Sequence, residues 1–169
     1  VRQSDVLVLL DHVQFRKRYF QNRNRILSDK GPMWLTVPVL TKSTSTQPIT
    51  EVRIDNRSSP RWKEKCWSGI LQHYSKADYW SNHENFLDDL YDHNWDRLVD
   101  LNESIIRYIL TSLSLGVRII KSSEMNVKGS KGDLLLSICR EVGADIYLSG
   151  VSGKSYLDLD VFSDSGIDV

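Results

Sequence analysis

Cysteine occurs only twice in the 169 residues, at Cys66 and Cys139, and proline only four times. Two cysteines cannot build a disulfide scaffold, and a zinc site would need more cysteine or closely spaced histidine. Both thiols lie on apolar helix faces in the sequence pattern and read as reduced and inert. The low proline count and a 40% share of hydrophobic residues exclude a disordered or collagen-like chain. Long apolar runs are missing as well. The longest, Val6 to Leu10, falls far short of the roughly 20 residues that cross a bilayer. With no membrane segment and no visible export signal, a cytoplasmic location is expected. Net charge is absent too, with 22 Lys+Arg against 22 Asp+Glu. A chain of this size buries about 70% of its unfolded surface, enough for one domain with its own core.

The neutral total hides an asymmetry. Residues 1–65 carry 13 basic and 6 acidic side chains, and residues 66–169 carry 9 and 16. The basic half points to a phosphate-bearing partner, while the balanced whole disfavours nucleic acid.

Val6 to Leu10, set between Asp5 and Asp11, reads as a strand buried on both faces. It starts almost at residue 1, so a strand–helix unit is expected to have preceded Val1. The turn residues Asp29-Lys30-Gly31-Pro32 precede a second strand, Met33 to Leu40, with Pro38 at an edge or an end. Glu51 to Asp55 alternates as a short third strand. Ser59-Pro60 supplies an N-cap and a first-turn proline for a helix over Arg61 to Tyr74. Helices are predicted over His83 to Tyr91 and Asp96 to Leu115, the latter with a stripe of Leu98, Leu101, Ile105, Ile109 and Leu113. Strand Val117 to Lys121, helix Leu134 to Val142, strand Asp145 to Leu148 and a helix within Tyr156 to Gly166 complete the order. This β, α, β alternation predicts one α/β domain over residues 1–169, Rossmann-like, with a mainly parallel sheet and flanking helices.

The most unusual stretch is DHVQFRKRYFQNRNRI, residues 11–26. Arg16, Lys17, Arg18, Arg23 and Arg25 fall within ten residues that hold no acid. Phe15, Tyr19 and Phe20 are interleaved, and Gln14, Gln21, Asn22 and Asn24 add amides. Arginine forks suit phosphate or carboxylate, aromatic faces suit a base or sugar, and amides suit hydroxyls. The stretch comes directly after the carboxyl end of a strand, where open α/β sheets bind ligands. Asp11 and His12 at that strand end are the candidate catalytic pair, Asp11 as base or orienter. A second polar loop, SSEMNVKGSKGD at residues 122–133, lacks the spacing of a Walker loop. A third, YLSGVSGKSYLD at residues 147–158, offers Ser149, Ser152, Gly153 and Lys154 to cradle a phosphate or sugar. Three polar loops at strand ends together suggest one ligand site.

Other features have plainer readings. His73, His83 and His93 are ten apart, which scatters them around a helix and excludes a metal set. Asp88, Asp89, Asp92, Asp96 and Asp100 run along solvated helix surfaces, and Trp62 and Trp67 belong to a core.

The segments SDVLVLLDHVQFRKRYFQNRNRI, WLTVPV, QPITEVRID, RIIKSSEMNV and ADIYLSGVSGKSYLD resemble, in this order, the WbqC-like family of bacterial proteins. The D-x-VQF…QNRN block is the specific part, and the match covers nearly the whole chain. The resemblance implies a place in O-antigen and lipopolysaccharide synthesis rather than a particular reaction. Family members open with a His-Gln-Pro segment ahead of the part matching Ser4, which this sequence lacks. Gly150-Val151-Ser152-Gly153 stands where the family more often has Gly-Pro-Gly-Gly. The layout is also distantly similar to nucleotidyltransferase-like Rossmann folds. Residues and resemblance together predict a transferase moving a group or acyl unit on a nucleotide-linked sugar. Gln14, Arg16, Arg18, Asn22, Arg23, Asn24 and Arg25 would hold that ligand, with no metal. The alternatives are a non-catalytic nucleotide or nucleic-acid binder and a scaffold in a biosynthetic complex.

Overall fold

The computed structural model describes residues 1–41, 47–150, 153 and 157–169. The chain forms two compact units, one of Val1–Asp11 with Leu110–Val169 and one of His12–Ile109.

In the first unit, β1 (Val6–Leu9) pairs in parallel with β6 (Arg118–Lys121), with Val6 opposite Arg118 and Leu9 opposite Lys121. The apolar run is half-buried along its length rather than sealed on both faces. Helix α4 (Lys131–Val142) ends as its sequence predicts. Gly143 adopts a left-handed φ of 67°, letting its own N–H and that of Ala144 reach the free carbonyls of Arg140 and Cys139. Helix α5 (Leu159–Asp164) is capped by Asp158, whose side chain accepts from the Val161 N–H. Leu136, Cys139, Leu157, Phe162 and Ile167 form this unit's core. The expected strand at Asp145 to Leu148 is a single parallel bridge, Ile146 to Asp168, held by Tyr147 N donating to Asp168 O at 2.7 Å.

The second unit is built on antiparallel pairs. β2 (Arg23–Ser28) and β3 (Gly31–Thr36) make a hairpin in which Arg25 faces Trp34 and Ser28 faces Gly31. Gly31, at φ 102°, closes the turn, and the Ser28 hydroxyl donates to its carbonyl at 2.7 Å. The expected strand Met33 to Leu40 breaks at Val37-Pro38, because proline cannot donate to a ladder. β4 (Val39–Leu40) resumes beyond it and pairs with β5 (Arg53–Ile54). Parallel pairing among the described residues is thus confined to β1 and β6 and the single bridge at Ile146, against the mainly parallel sheet expected. Short turn-linked segments pair antiparallel where a parallel pair needs a long crossover.

Helices α1 (Trp62–Tyr74) and α2 (Glu84–Asp92), with α3 (Leu98–Ser112) as far as Ile109, supply the helical part of this unit. α1 begins later than Ser59-Pro60 suggests and has no side-chain cap at Arg61. Asn56 instead ties its start down, accepting from the Trp62 indole at 2.9 Å and donating to Trp95 O at 2.8 Å. Gly69 lets α1 approach the hairpin, since a Cβ there would lie 2.9 Å from Met33 Cε. Val52, Ile54, Trp62, Cys66, Leu90, Leu98 and Leu101 form the core. Burial pushes the Cys66 and Cys139 thiols up, so both stay protonated and unreactive at neutral pH.

The C-terminus of α2 is closed by one cation. Lys63 Nζ donates to Asp92 O at 3.0 Å, His93 O at 3.2 Å and Asn94 Oδ1 at 3.1 Å. Lys63→Met is expected to lower the unfolding free energy by about 1–2 kcal/mol, because it strips charge and donors from a helix C-terminus. Urea denaturation measures this. An unchanged midpoint would mean that water replaces the ammonium.

Candidate functional site

Phe15 anchors the start of the basic stretch in the core of the second unit, and its N–H donates to Gln47 O at 2.8 Å. From there the chain turns at the surface. Arg18 takes a left-handed φ of 62°, and its carbonyl accepts from Arg23 Nη2. The Gln21 side chain closes the turn by accepting from Arg16 N at 2.6 Å, and Asn22 Nδ2 donates to Val37 O at 2.8 Å. β2 begins at Arg23, and strand alternation sets which side chains face outward from the hairpin. Met33 and Leu35 of β3 turn inward, so Arg25 and Trp34, which face each other across the hairpin, stand outward.

The result is an exposed face of arginine and aromatic rings. Arg23 Cζ lies 4.3 Å and Arg25 Cζ 5.3 Å from the Trp34 ring centre. Phe20 packs on Trp34 at 5.5 Å, Tyr19 meets Phe20 edge-on at 5.7 Å, and Arg25 Cζ is 6.0 Å from Phe20. Tyr19, Phe20 and Trp34 remain 54%, 52% and 43% exposed, although such rings are usually buried. The Arg25 guanidinium, held beside aromatic faces, keeps its N–H edge available for an anion, whereas Arg23 spends Nη2 on Arg18 O and buries Nε. Among the described residues no carboxylate pairs with Arg16, Arg18, Arg23 or Arg25. Two buried polar atoms here, Asn22 Oδ1 and Arg23 Nε, have no hydrogen-bond partner among the described residues.

Gln14 is exposed and bridges to Pro48, while Asn24 Oδ1 accepts from Arg25 N at 2.8 Å. His12 is half-buried at the start of the second unit. Asp11 belongs to the first unit and is 3% exposed. Its Oδ1 accepts from Ser122 Oγ at 3.0 Å and Ser123 N at 2.8 Å, and its Oδ2 from Ser123 Oγ at 2.6 Å. Asp11 N donates back to Ser122 Oγ at 3.1 Å. This knot ties the chain after β1 to the chain after β6. Ser149 Oγ donates to Gly150 O at 3.2 Å. Gly153 is buried, its N–H donating to Gly150 O at 2.8 Å, and a side chain there would run into Ser149 and Leu157. Ser152 and Lys154 lie outside the described residues. Among the described residues no three of His, Cys, Asp and Glu gather where they could hold a metal ion.

Sequence reasoning missed Trp34, which it took only as part of a strand. The signal was present in the alternation of Met33, Trp34 and Leu35, which sends the tryptophan to the face opposite two aliphatic residues.

Fold and face together describe a mixed α/β protein with an open arginine–aromatic surface on a β-hairpin. The sequence model of the WbqC-like protein family matches residues 1–169, and the chain belongs to that family. "Uncharacterized protein Rv1507c" of Mycobacterium tuberculosis (strain ATCC 25618 / H37Rv) is 31% identical over 166 residues, which cover 98% of this chain and 71% of that protein. No solved structure matches the chain. Among the described residues, no helix is long and apolar enough to cross a membrane.

Proposed function

We propose that this protein is a cytoplasmic enzyme of bacterial surface-polysaccharide synthesis, transferring a group or acyl unit on a nucleotide-linked sugar. The hairpin face is its nucleotide-holding surface. The observation that carries the reading is the placement of Arg23 and Arg25 over Trp34 and beside Phe20, without an acidic partner among the described residues. An aromatic face takes a base by stacking, and arginine edges beside it take the diphosphate. Membership of the WbqC-like family supports the pathway through its resemblance to O-antigen cluster proteins. Asp11 takes the orienting rather than the proton-transferring role, because both its oxygens are already engaged. The family match spans both units, which favours treating residues 1–169 as one functional domain.

A second reading has its own support. Aromatic rings alternating with arginines on an open sheet face also suit single-stranded nucleic acid. Thermal unfolding with nucleotides, nucleotide-sugars, free sugars and a short oligonucleotide separates the two. A ligand at about 100 times its dissociation constant adds roughly 2.7 kcal/mol of stability. The enzyme reading expects a shift with one nucleotide-sugar class that survives added salt. A shift with the oligonucleotide alone, collapsing steeply with salt, would overturn it in favour of the second.

A further inference from the structure

Between α1, α2 and α3 of the second unit lies a cavity of about 480 Å³, inside the roughly 300–1,000 Å³ usual for small-molecule sites. Tyr74, Trp80, Phe86, Leu87, Tyr91 and Tyr108 line it. The walls are braced by stacking. Trp67 lies nearly parallel to both Trp80 and Tyr91, at 23° and 27°, and Phe86 lies flat on Tyr108 at 2°. The cavity is open to solvent, with Tyr79 and Ile109 of its lining exposed, so a ligand can enter.

Two polar groups of the lining, Tyr108 and His83, are hydrogen-bonded to each other. Tyr108 Oη donates its only proton to Asn82 O at 3.2 Å. We assign it the acceptor role toward His83 Nδ1, 2.8 Å away, with its proton spent on that carbonyl. In that assignment Nδ1 carries the ring proton and Nε2 is left as a lone-pair acceptor. His83 lines the same cavity. Charge narrows the occupant further. Among the described lining residues Asp78 is the one carboxylate, and there is no lysine or arginine. An anionic ligand would meet repulsion and no counter-charge.

We propose that this cavity binds a flat, neutral aromatic molecule carrying one O–H or N–H group, which donates to His83 Nε2. The aromatic walls select a ring by face and edge contacts. The histidine selects a donor, and Asp78 selects against a carboxylate. The site is separate from the arginine face and does not depend on the nucleotide reading.

Three probes test it: 2-naphthol, naphthalene and 2-naphthoate, which share a ring system and differ in the head group. They are dialysed to equilibrium at neutral pH against the full chain. 2-Naphthol is expected to bind at least tenfold more tightly than naphthalene, and 2-naphthoate the most weakly. His83→Phe keeps a ring in place and removes the acceptor, so it should bring 2-naphthol down to the naphthalene level. Leu87→Trp should fill the cavity and abolish binding of all three. Equal affinity for 2-naphthol and naphthalene, preference for 2-naphthoate, or no binding of any probe would each overturn the proposal. The probe comparison uses the unaltered protein, so it decides the matter even if a variant folds poorly.

Discussion

Replacing Asp11 by alanine is expected to lower the unfolding free energy by roughly 3–5 kcal/mol, a large part of the 5–15 kcal/mol that holds a typical domain together. Three donors converge on the carboxylate of Asp11, a residue 3% exposed. Alanine takes this acceptor from the buried Ser122 hydroxyl and from the N–H and hydroxyl of Ser123, which is itself exposed to water. Asp11→Asn is the informative companion. Its Oδ1 can still accept from Ser122 Oγ and Ser123 N, and its amide can donate to Ser123 Oγ once that hydroxyl rotates. Asparagine should therefore cost about 1–2 kcal/mol, far less than alanine. Urea denaturation monitored by far-UV circular dichroism measures both. If alanine and asparagine destabilise equally, the negative charge rather than the hydrogen-bond knot holds the two strand ends. If neither destabilises, the knot is not structural and the orienting role given to Asp11 fails with it.

The second large effect concerns the hairpin face. Trp34→Ala should weaken binding of the responsive nucleotide-sugar by about 10- to 100-fold, since base–aromatic stacking is worth roughly 1–3 kcal/mol per base. Part of the loss is indirect, because Trp34 also holds Arg23 and Arg25 in place. Arg25→Ala should cost about tenfold, as expected for one charge-assisted hydrogen bond to phosphate. Arg25→Lys should recover little of that, because a lysine supplies charge but not the planar fork stacked on an indole. Arg25 is the better probe than Arg23, whose Nη2 also secures the turn by donating to Arg18 O. Isothermal titration with each variant gives the comparison. Undiminished affinity in both Trp34→Ala and Arg25→Ala would remove the hairpin from the binding surface.

Much of the molecule was legible without coordinates, for stated physical reasons. Helices α1, α2 and α3 arise from apolar residues at helical spacing. The stop of α4 arises from a glycine able to take a positive φ. The weight placed on residues 11–26 came from five cations with no acid between them. These are local properties, settled by side-chain chemistry and spacing within one turn or one strand.

Pairing was not local. Val6 to Leu9 could be read as a strand, but its partner lies more than a hundred residues later, and no local pattern names it. Residue order alone was enough to put Asp11 at the end of that strand and to crowd arginines after it. Packing in three dimensions was needed to spend Asp11 on Ser122 and Ser123. It was needed again to set Arg23 and Arg25 on one face with Trp34, because register across a hairpin fixes which side chains meet. The cavity beside His83 belongs wholly to this second kind. Its rings come from three helices and the turn before α2, and a void exists only where elements that are each well formed alone fail to fill the space between them.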